Sequence, residues 1–424
     1  VVLAAALIGI LAAGQDAPHS WPDYRGPNLD GHMAADALPP LSWSEQSHVR
    51  WKVPVPGRGW SSPILAAGRV WLTTADPDGT RLSLLCFDVE SGELLVDRVL
   101  FEVPEPAHRN ALNSYASPSA TVGDGRVFVS FGHEGLVCLN ATDAEELWRR
   151  SDLPCEHLEG PGSSPLYFAG RLVLHLDGAE QQYVVALDPA SGQTLWRTDR
   201  DPALLDGVQP DMRKAFATPV PLLVGGQWQL ISTAAEATFG LNPRDGEELW
   251  RVEHGGFSMS SRALTFEGAV LVNTGFMRPQ LWSLQVSNQS ADESGSGVVV
   301  NWKATRGMPT MASPVIVGER LFTVSDGGVA SCLDVRSGEL IWKHRLAGEY
   351  SASLLYGAGR VYAFDREGTC TVIAADDEFR ELAVNVLDDG CMASAAAAGD
   401  ALIVRTRSHL YRLEESLPRS AKSR

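Results

Sequence analysis

Eight positions recur at steps of 40 to 55 residues, and their side chains could act as a set: Ser62, Ser117, Ser164, Thr218, Arg262, Ser313, Ser353 and Ser394. Seven carry hydroxyls, which at equivalent places can tie neighbouring backbone groups together. The eighth, Arg262, carries a guanidinium that must meet a carboxylate, carbonyl oxygens or an anion, and a structural ion pair is the expected partner. Two residues ahead of several of these stand Trp60, Tyr115, Phe216 and Met311. Strand alternation turns residues two apart the same way, so a partly aromatic funnel is predicted above a ring of hydroxyls. These twelve side chains form the candidate ligand-binding set. Arg58, His157, Glu159, Arg213 and Arg306 lie in nearby loops.

The same residues support little catalysis. The ten histidines contain no H-x-H or H-x-x-x-H pair and there is no C-x-x-C, so no zinc site is assigned. No G-x-S-x-G elbow occurs, and "GDGRVF" near Asp124 lacks the following helix that a phosphate loop needs. No cluster of Asp, Glu and Asn marks a calcium site, and no carboxylate can be nominated as a base. No catalytic residue, metal or cofactor is expected.

The elements that must position the set are written as a repeat. "LDVRSGELIWKH" from Leu333 has near-copies at Phe87, Leu139, Leu187 and Leu241. Each couples a strand ending in Asp or Asn, a short turn usually carrying Gly, and a strand usually ending in Trp and a basic residue, which is a β-hairpin. Upstream of it stands a second strand pair, as in "SSPILAAGRVWLTT" from Ser61. Four strands per period of about 47 residues predict an all-β, eight-bladed β-propeller of four-stranded antiparallel blades. The last repeat ends after three strands, and "HVRWKVPV" from His48 has the form of a missing fourth. The N-terminal strand is therefore expected to close the eighth blade and leave no open edge at the junction. Trp51, Trp148, Trp196, Trp250, Trp302 and Trp342 fall at the end of fourth strands and read as structural wedges between blades.

Residues 1–14 are apolar and too short to span a bilayer, so they read as a signal-peptide-like segment without a lipobox cysteine. Residues 15–40 form an N-terminal extension, expected to lie across a propeller face through Trp21, Tyr24 and Pro27. Residues 41–415 form the propeller and 416–424 a tail. The expected location is extracytoplasmic, and the expected oligomeric state a monomer. A formal charge of -17 argues against nucleic acid, and no later run is apolar enough to be an integral membrane segment. Cys86, Cys138 and Cys332 occupy equivalent places and read as small buried hydrophobes, whereas Cys155 and Cys391 stay unassigned. Two insertions interrupt the repeats: Phe101–Tyr115, with Pro, His, Arg and Asn near the channel mouth, and the linker-like Ser287–Gly297.

The "LD…SG…LW" hairpins following "SSP…GR" strands resemble the quinoprotein-like β-propeller family of PQQ repeats, from about Leu41 to Glu415. "WPDYRGPNLDG" from Trp21 is similar to the opening of secreted bacterial proteins with this repeat, including planctomycete ones. The resemblance implies one of two functions. One branch consists of PQQ-dependent alcohol and sugar dehydrogenases, which hold the quinone on the axis with calcium; many alcohol dehydrogenases among them carry a disulfide between adjacent cysteines, a pair absent here. The other branch is non-catalytic and BamB-like, a scaffold that binds protein partners or a small ligand on a propeller face. The second is the expectation, with a quinoprotein dehydrogenase as the alternative.

Overall fold

The computed structural model describes residues 20–287 and 297–415. The signal-peptide-like segment, all but the ends of the Ser287–Gly297 insertion, and the tail lie outside the described residues. Eight four-stranded antiparallel sheets follow one another. In the first blade the strands are Ile64–Ala66, Arg69–Ala75, Arg81–Asp88 and Leu94–Glu102. The short first strands of neighbouring blades touch one another and so surround an axis. The second and third strands are buried almost throughout because both their faces meet another blade, so they read as apolar runs rather than alternation. The eighth blade consists of Ala396–Ala398, Ala401–Arg405 and His409–Leu413, completed by Val49–Pro54 with Val53 opposite Leu410. Both chain ends thus share one sheet, as the sequence predicts.

The repeated phrase has a specific physical content. Asp88 Oδ1 accepts the backbone N–H groups of Glu90 and Ser91 and the Ser91 hydroxyl, and Asp188 and Asp334 do the same in their turns. The turn then needs a left-handed residue, supplied by Gly92 and Gly192 at φ of 75° and 73°. This glycine is also a seat for the preceding blade. A Cβ on Gly192 would stand 2.7 Å from Trp148, and one on Gly92 2.9 Å from Trp51. Each of these indoles donates its N–H to a carbonyl of the turn it covers: Trp51 to Val89, Trp148 to Pro189, Trp196 to Pro243, Trp302 to Val335 and Trp342 to Asp376, at 3.0 to 3.2 Å. One copy's glycine is the floor under the previous copy's tryptophan.

Trp250 departs from this pattern for a visible reason. Its neighbour, blade five, has the Ser287–Gly297 insertion where the Asp-and-Gly turn should be. Trp250 instead folds over Gly240 of its own blade and donates to Gln229 Oε1 at 2.7 Å. All six cysteines are free and buried. Cys138 and Cys332 sit opposite Trp148 and Trp342 in the register, where a small apolar side chain leaves room for the indole.

Candidate functional site

The tight turns joining first to second and third to fourth strands lie at one end of the ring, here the lower face. The connections between blades, and those between second and third strands, lie at the upper face. The hydroxyl ring sits two residues above the first strands. Each of its hydroxyls accepts a backbone N–H from the preceding blade. Ser62 donates to Ser119, Ser119 to Ser164, and Ser164 to Thr218. Arg262 donates to Ser313, Ser313 to Ser353, Ser353 to Ser394, and Ser394 back to Ser62. The distances are 2.8 to 3.1 Å.

Blade two differs from the sequence reading. Ser119 holds the ring position, and Ser117 hydrogen bonds with Asn113 and Ser114 inside the connection. The residue before proline was the wrong anchor there. The strand Thr121–Gly123 starts two residues after Ser119, as other blades start two after their ring residue.

Arg262 breaks the hydroxyl ring and pairs with Asp23 at 2.6 Å, both side chains buried. Its other terminal nitrogen donates to the Pro219 carbonyl at 2.8 Å, and the guanidinium stands over the Tyr24 ring. Asp23 belongs to the N-terminal extension, which runs inside the channel rather than across a face. Trp21 pairs with Leu65, the chain rises to Asp23 and Tyr24 at ring level, and it returns to pair with Tyr356 through Gly31 and Met33. Arg25 holds the turn by donating to the carbonyls of Leu354, Pro314 and Asp30 at 2.6 to 2.9 Å. Burial depresses its pKa well below the ordinary arginine value, and burial raises that of Tyr24. The segment then crosses the lower face, where Arg360 and Tyr362 bond the carbonyls of Pro39 and Pro40. The channel is therefore occupied from below up to the ring.

Above the ring the mouth is open on one side. A cleft of about 540 Å³ lies between blade one, blades seven and eight, and the connection that follows Glu102. Trp60, Leu112, Tyr115 and Met392 give it apolar walls, and Arg58, Arg109, Arg366 and Arg407 line it with Asp76, Glu349 and Glu367. Arg366 pairs with Glu349 at 2.8 Å and Arg407 with Glu367 at 3.4 Å. Asp76 is held in its own turn by the Thr80 hydroxyl and the Arg81 N–H. Arg109 lies over Tyr115 and donates to the carbonyls of Asn110 and Asn113, and among the described residues no carboxylate pairs with it. Arg58 is exposed and its guanidinium makes no bond among the described residues.

Of the predicted funnel, Trp60 and Tyr115 reach this cleft; Phe216 stacks on His157 and Met311 is half-buried elsewhere. Burial holds His157 neutral, its pKa depressed to about 3. Glu159 faces Lys214 at 3.5 Å, and Arg213 donates to the Val208 carbonyl.

A buried group between blades three and four was missed in the sequence. His175 lies 3.3 Å from Ser232 Oγ and 2.7 Å from Asp177 through its other nitrogen, the order of a nucleophilic triad. Arg200 also donates to Ser232 at 2.6 Å and faces Asp177 at 3.3 Å, and all four side chains are buried. Burial pushes the Asp177 carboxyl up, but Arg200 and His175 outweigh it and hold the pKa below the usual range. The concavity that reaches Asp177 and Arg200 measures only about 10 Å³ and is not lined by Ser232 or His175, so the group acts as an interblade polar network.

The geometry defines an eight-bladed propeller closed by its own N-terminal strand and filled from below by its own N-terminal segment. In sequence, the chain belongs to the family described as outer membrane protein assembly factor BamB, whose profile matches residues 86–255 and 240–409. No curated protein sequence matches the chain. Among solved structures it is similar to BamB from Moraxella catarrhalis, with 10% identity and a TM-score of 0.61, covering 89% of this chain and 99% of that one. It is also similar to a europium-containing methanol dehydrogenase, at 12% identity, TM-score 0.54, and 94% and 91% coverage. A quinohemoprotein alcohol dehydrogenase from Pseudomonas putida matches at 13% identity, TM-score 0.53, and 98% and 84% coverage. At these identities the likeness establishes the fold. Among the described residues no helix is long and apolar enough to cross a membrane.

Proposed function

We propose that this chain is a non-catalytic, extracytoplasmic binding module whose partner docks at the upper mouth. One observation carries the reading: the protein's own N-terminal segment takes the channel up to the hydroxyl ring, and a cleft large enough for a ligand group opens above it. Its volume is in the range of about 300–1,000 Å³ typical of binding clefts. The alternative, a dehydrogenase holding PQQ with calcium on the axis, asks for oxygen ligands converging at the mouth. The carboxylates there pair with Arg366 and Arg407 or sit in the turn of Thr80, which favours the reading without calcium. Photo-crosslinking tests the reading, with benzophenone-alanine at Leu112 beside the cleft or at Leu195, exposed on the rim of blade three. A discrete partner captured from position 112 and not from 195 is expected; capture from 195 alone overturns it. Dye-linked oxidation of alcohols or sugars after incubation with PQQ and calcium would establish the dehydrogenase instead.

A further inference from the structure

The cleft's chemistry narrows what it can receive, given the reading that this mouth is the docking site. Of its four guanidinium groups, two are neutralised by Glu349 and Glu367. The other two, Arg58 and Arg109, have no carboxylate partner among the described residues, on a chain whose formal charge is -17. Cations left uncompensated in a concavity of an acidic protein draw in anionic groups, and of the carboxylates lining the cleft Glu349 and Glu367 are paired while Asp76 is held in its own turn. Beside them stand apolar surfaces, from Trp60 and Met392 in the wall to Leu112 at the edge, where it is 48% exposed. A ligand that is only charged leaves these surfaces wet.

The upper face continues the same pattern away from the cleft. In the connection between the second and third strands of blade five, Phe276 and Met277 are 50% and 72% exposed, with Phe257 packed edge-on against Phe276. These side chains form a second apolar patch on the same face, which a macromolecule seated over the cleft could also bury. A small molecule within the cleft could not reach both. Nucleic acid would meet two guanidiniums without carboxylate partners but also the field of the whole acidic chain.

We propose that the cleft receives an extended acidic segment of a partner protein, with its carboxylates on Arg58 and Arg109 and its apolar side chains against Trp60, Leu112 and Met392. Planar guanidiniums pair with carboxylates through two parallel hydrogen bonds, so a Glu or Asp in an extended chain is read by geometry as well as by charge. The neighbouring apolar walls select alternating acidic and apolar residues rather than a uniformly charged tail.

The test uses the full chain and a short fluorescein-labelled peptide of alternating Glu and Leu, its Gln–Leu counterpart, polyglutamate and single-stranded DNA, read by fluorescence anisotropy. The Glu–Leu peptide is expected to bind at least about tenfold more tightly than the Gln–Leu peptide and than polyglutamate, with affinity falling as salt rises. Arg58→Glu should reduce that binding about tenfold or more with an unchanged unfolding midpoint, because this side chain makes no bond that folding needs. Arg109→Gln supplies a second variant at the other cation. Equal binding of the Gln–Leu peptide, equal binding by Arg58→Glu, or preference for DNA overturns the proposal. If no peptide binds while crosslinking at Leu112 still captures a partner, the acidic-segment proposal falls and the docking site stands; if that crosslink is also absent, the docking site falls too.

Discussion

Replacing Gly192 by Ala tests whether the repeated phrase is held by the tryptophan of the preceding blade, because Gly170 supplies a matched control in the same blade. Both glycines have left-handed backbones, φ 73° and 68°, and both close tight turns on the lower face. An Ala there costs about 1–2 kcal/mol in the folded state, offset by about 0.4–1 kcal/mol from the stiffer unfolded chain. At Gly170 nothing lies within 4 Å of the added Cβ, so the net loss is about 0.5–1 kcal/mol. At Gly192 the Cβ would come to 2.7 Å from Trp148, whose indole cannot slide without losing its bond to the Pro189 carbonyl. Displacing it adds about 1–3 kcal/mol, as other overpacked cores do, for a total of about 1.5–4 kcal/mol. Urea midpoints at a common m-value give the comparison. In a Trp148→Ala background the excess at Gly192 should vanish, since the two changes act on one contact. Equal losses at Gly170 and Gly192, or an excess at Gly192 that survives removal of the indole, would refute the seat.

Asp23→Asn leaves the buried Arg262 cation without its carboxylate and should lower stability by about 3–5 kcal/mol, measured by urea unfolding. Ser164→Ala deprives the Ser119 N–H of its acceptor in the ring and should cost about 1–3 kcal/mol by the same measurement. His157 is held neutral with a pKa near 3, below its unfolded value, so between about pH 6.5 and 3 the unfolded chain binds a proton that the folded one does not. Stability present above that window is therefore lost as pH falls through it, and His157→Gln should flatten the fall of the urea midpoint between pH 7 and pH 5. His254, with a pKa depressed to about 4 by burial, acts in the same direction and leaves a residual slope.

The blades were legible because each is a local sentence: an Asp that caps a turn, a Gly that the turn and the next indole both require, and a Trp one strand later. The closure was legible because Trp51 and Lys52 copy the end of a fourth strand. In blade two the Ser-Pro pair is a misleading marker by two residues, because Ser117 precedes the proline while Ser119 bonds in the ring. A better marker was present, because Ser62, Ser119, Ser164 and Ser353 each stand six residues before the turn glycine. The plug was not legible in its place, since Asp23 and Arg262 are separated by 239 positions and no periodicity links an inserted segment to its channel. The cleft was legible in part, through Trp60, Tyr115 and the Phe101–Tyr115 connection at the channel mouth, but not its far wall from Glu349, Arg366 and Arg407. Its walls come from Trp60, Met392 and the connection around Leu112, and their convergence depends on how the ring closes.

Arg262 shows why one position abandons the hydroxyl. A ring serine bonds the neighbouring blade with its oxygen; Arg262 keeps a link across the same boundary by donating to Pro219 of blade four, and its second terminal nitrogen reaches Asp23. The substitution therefore preserves the junction and anchors the apex of the inserted segment. Arg262→Ser separates the two roles. The serine hydroxyl can accept the Thr218 N–H and restore an eightfold ring, while Asp23 becomes a buried carboxylate without a counter-charge. Hydrogen exchange should then rise across residues 21–33 while the strands Val220–Val224 and Leu264–Phe266 stay protected. If residues 21–33 remain protected in the variant, the Arg25 carbonyl contacts rather than the ion pair hold the segment, and the asymmetry of the ring needs another cause.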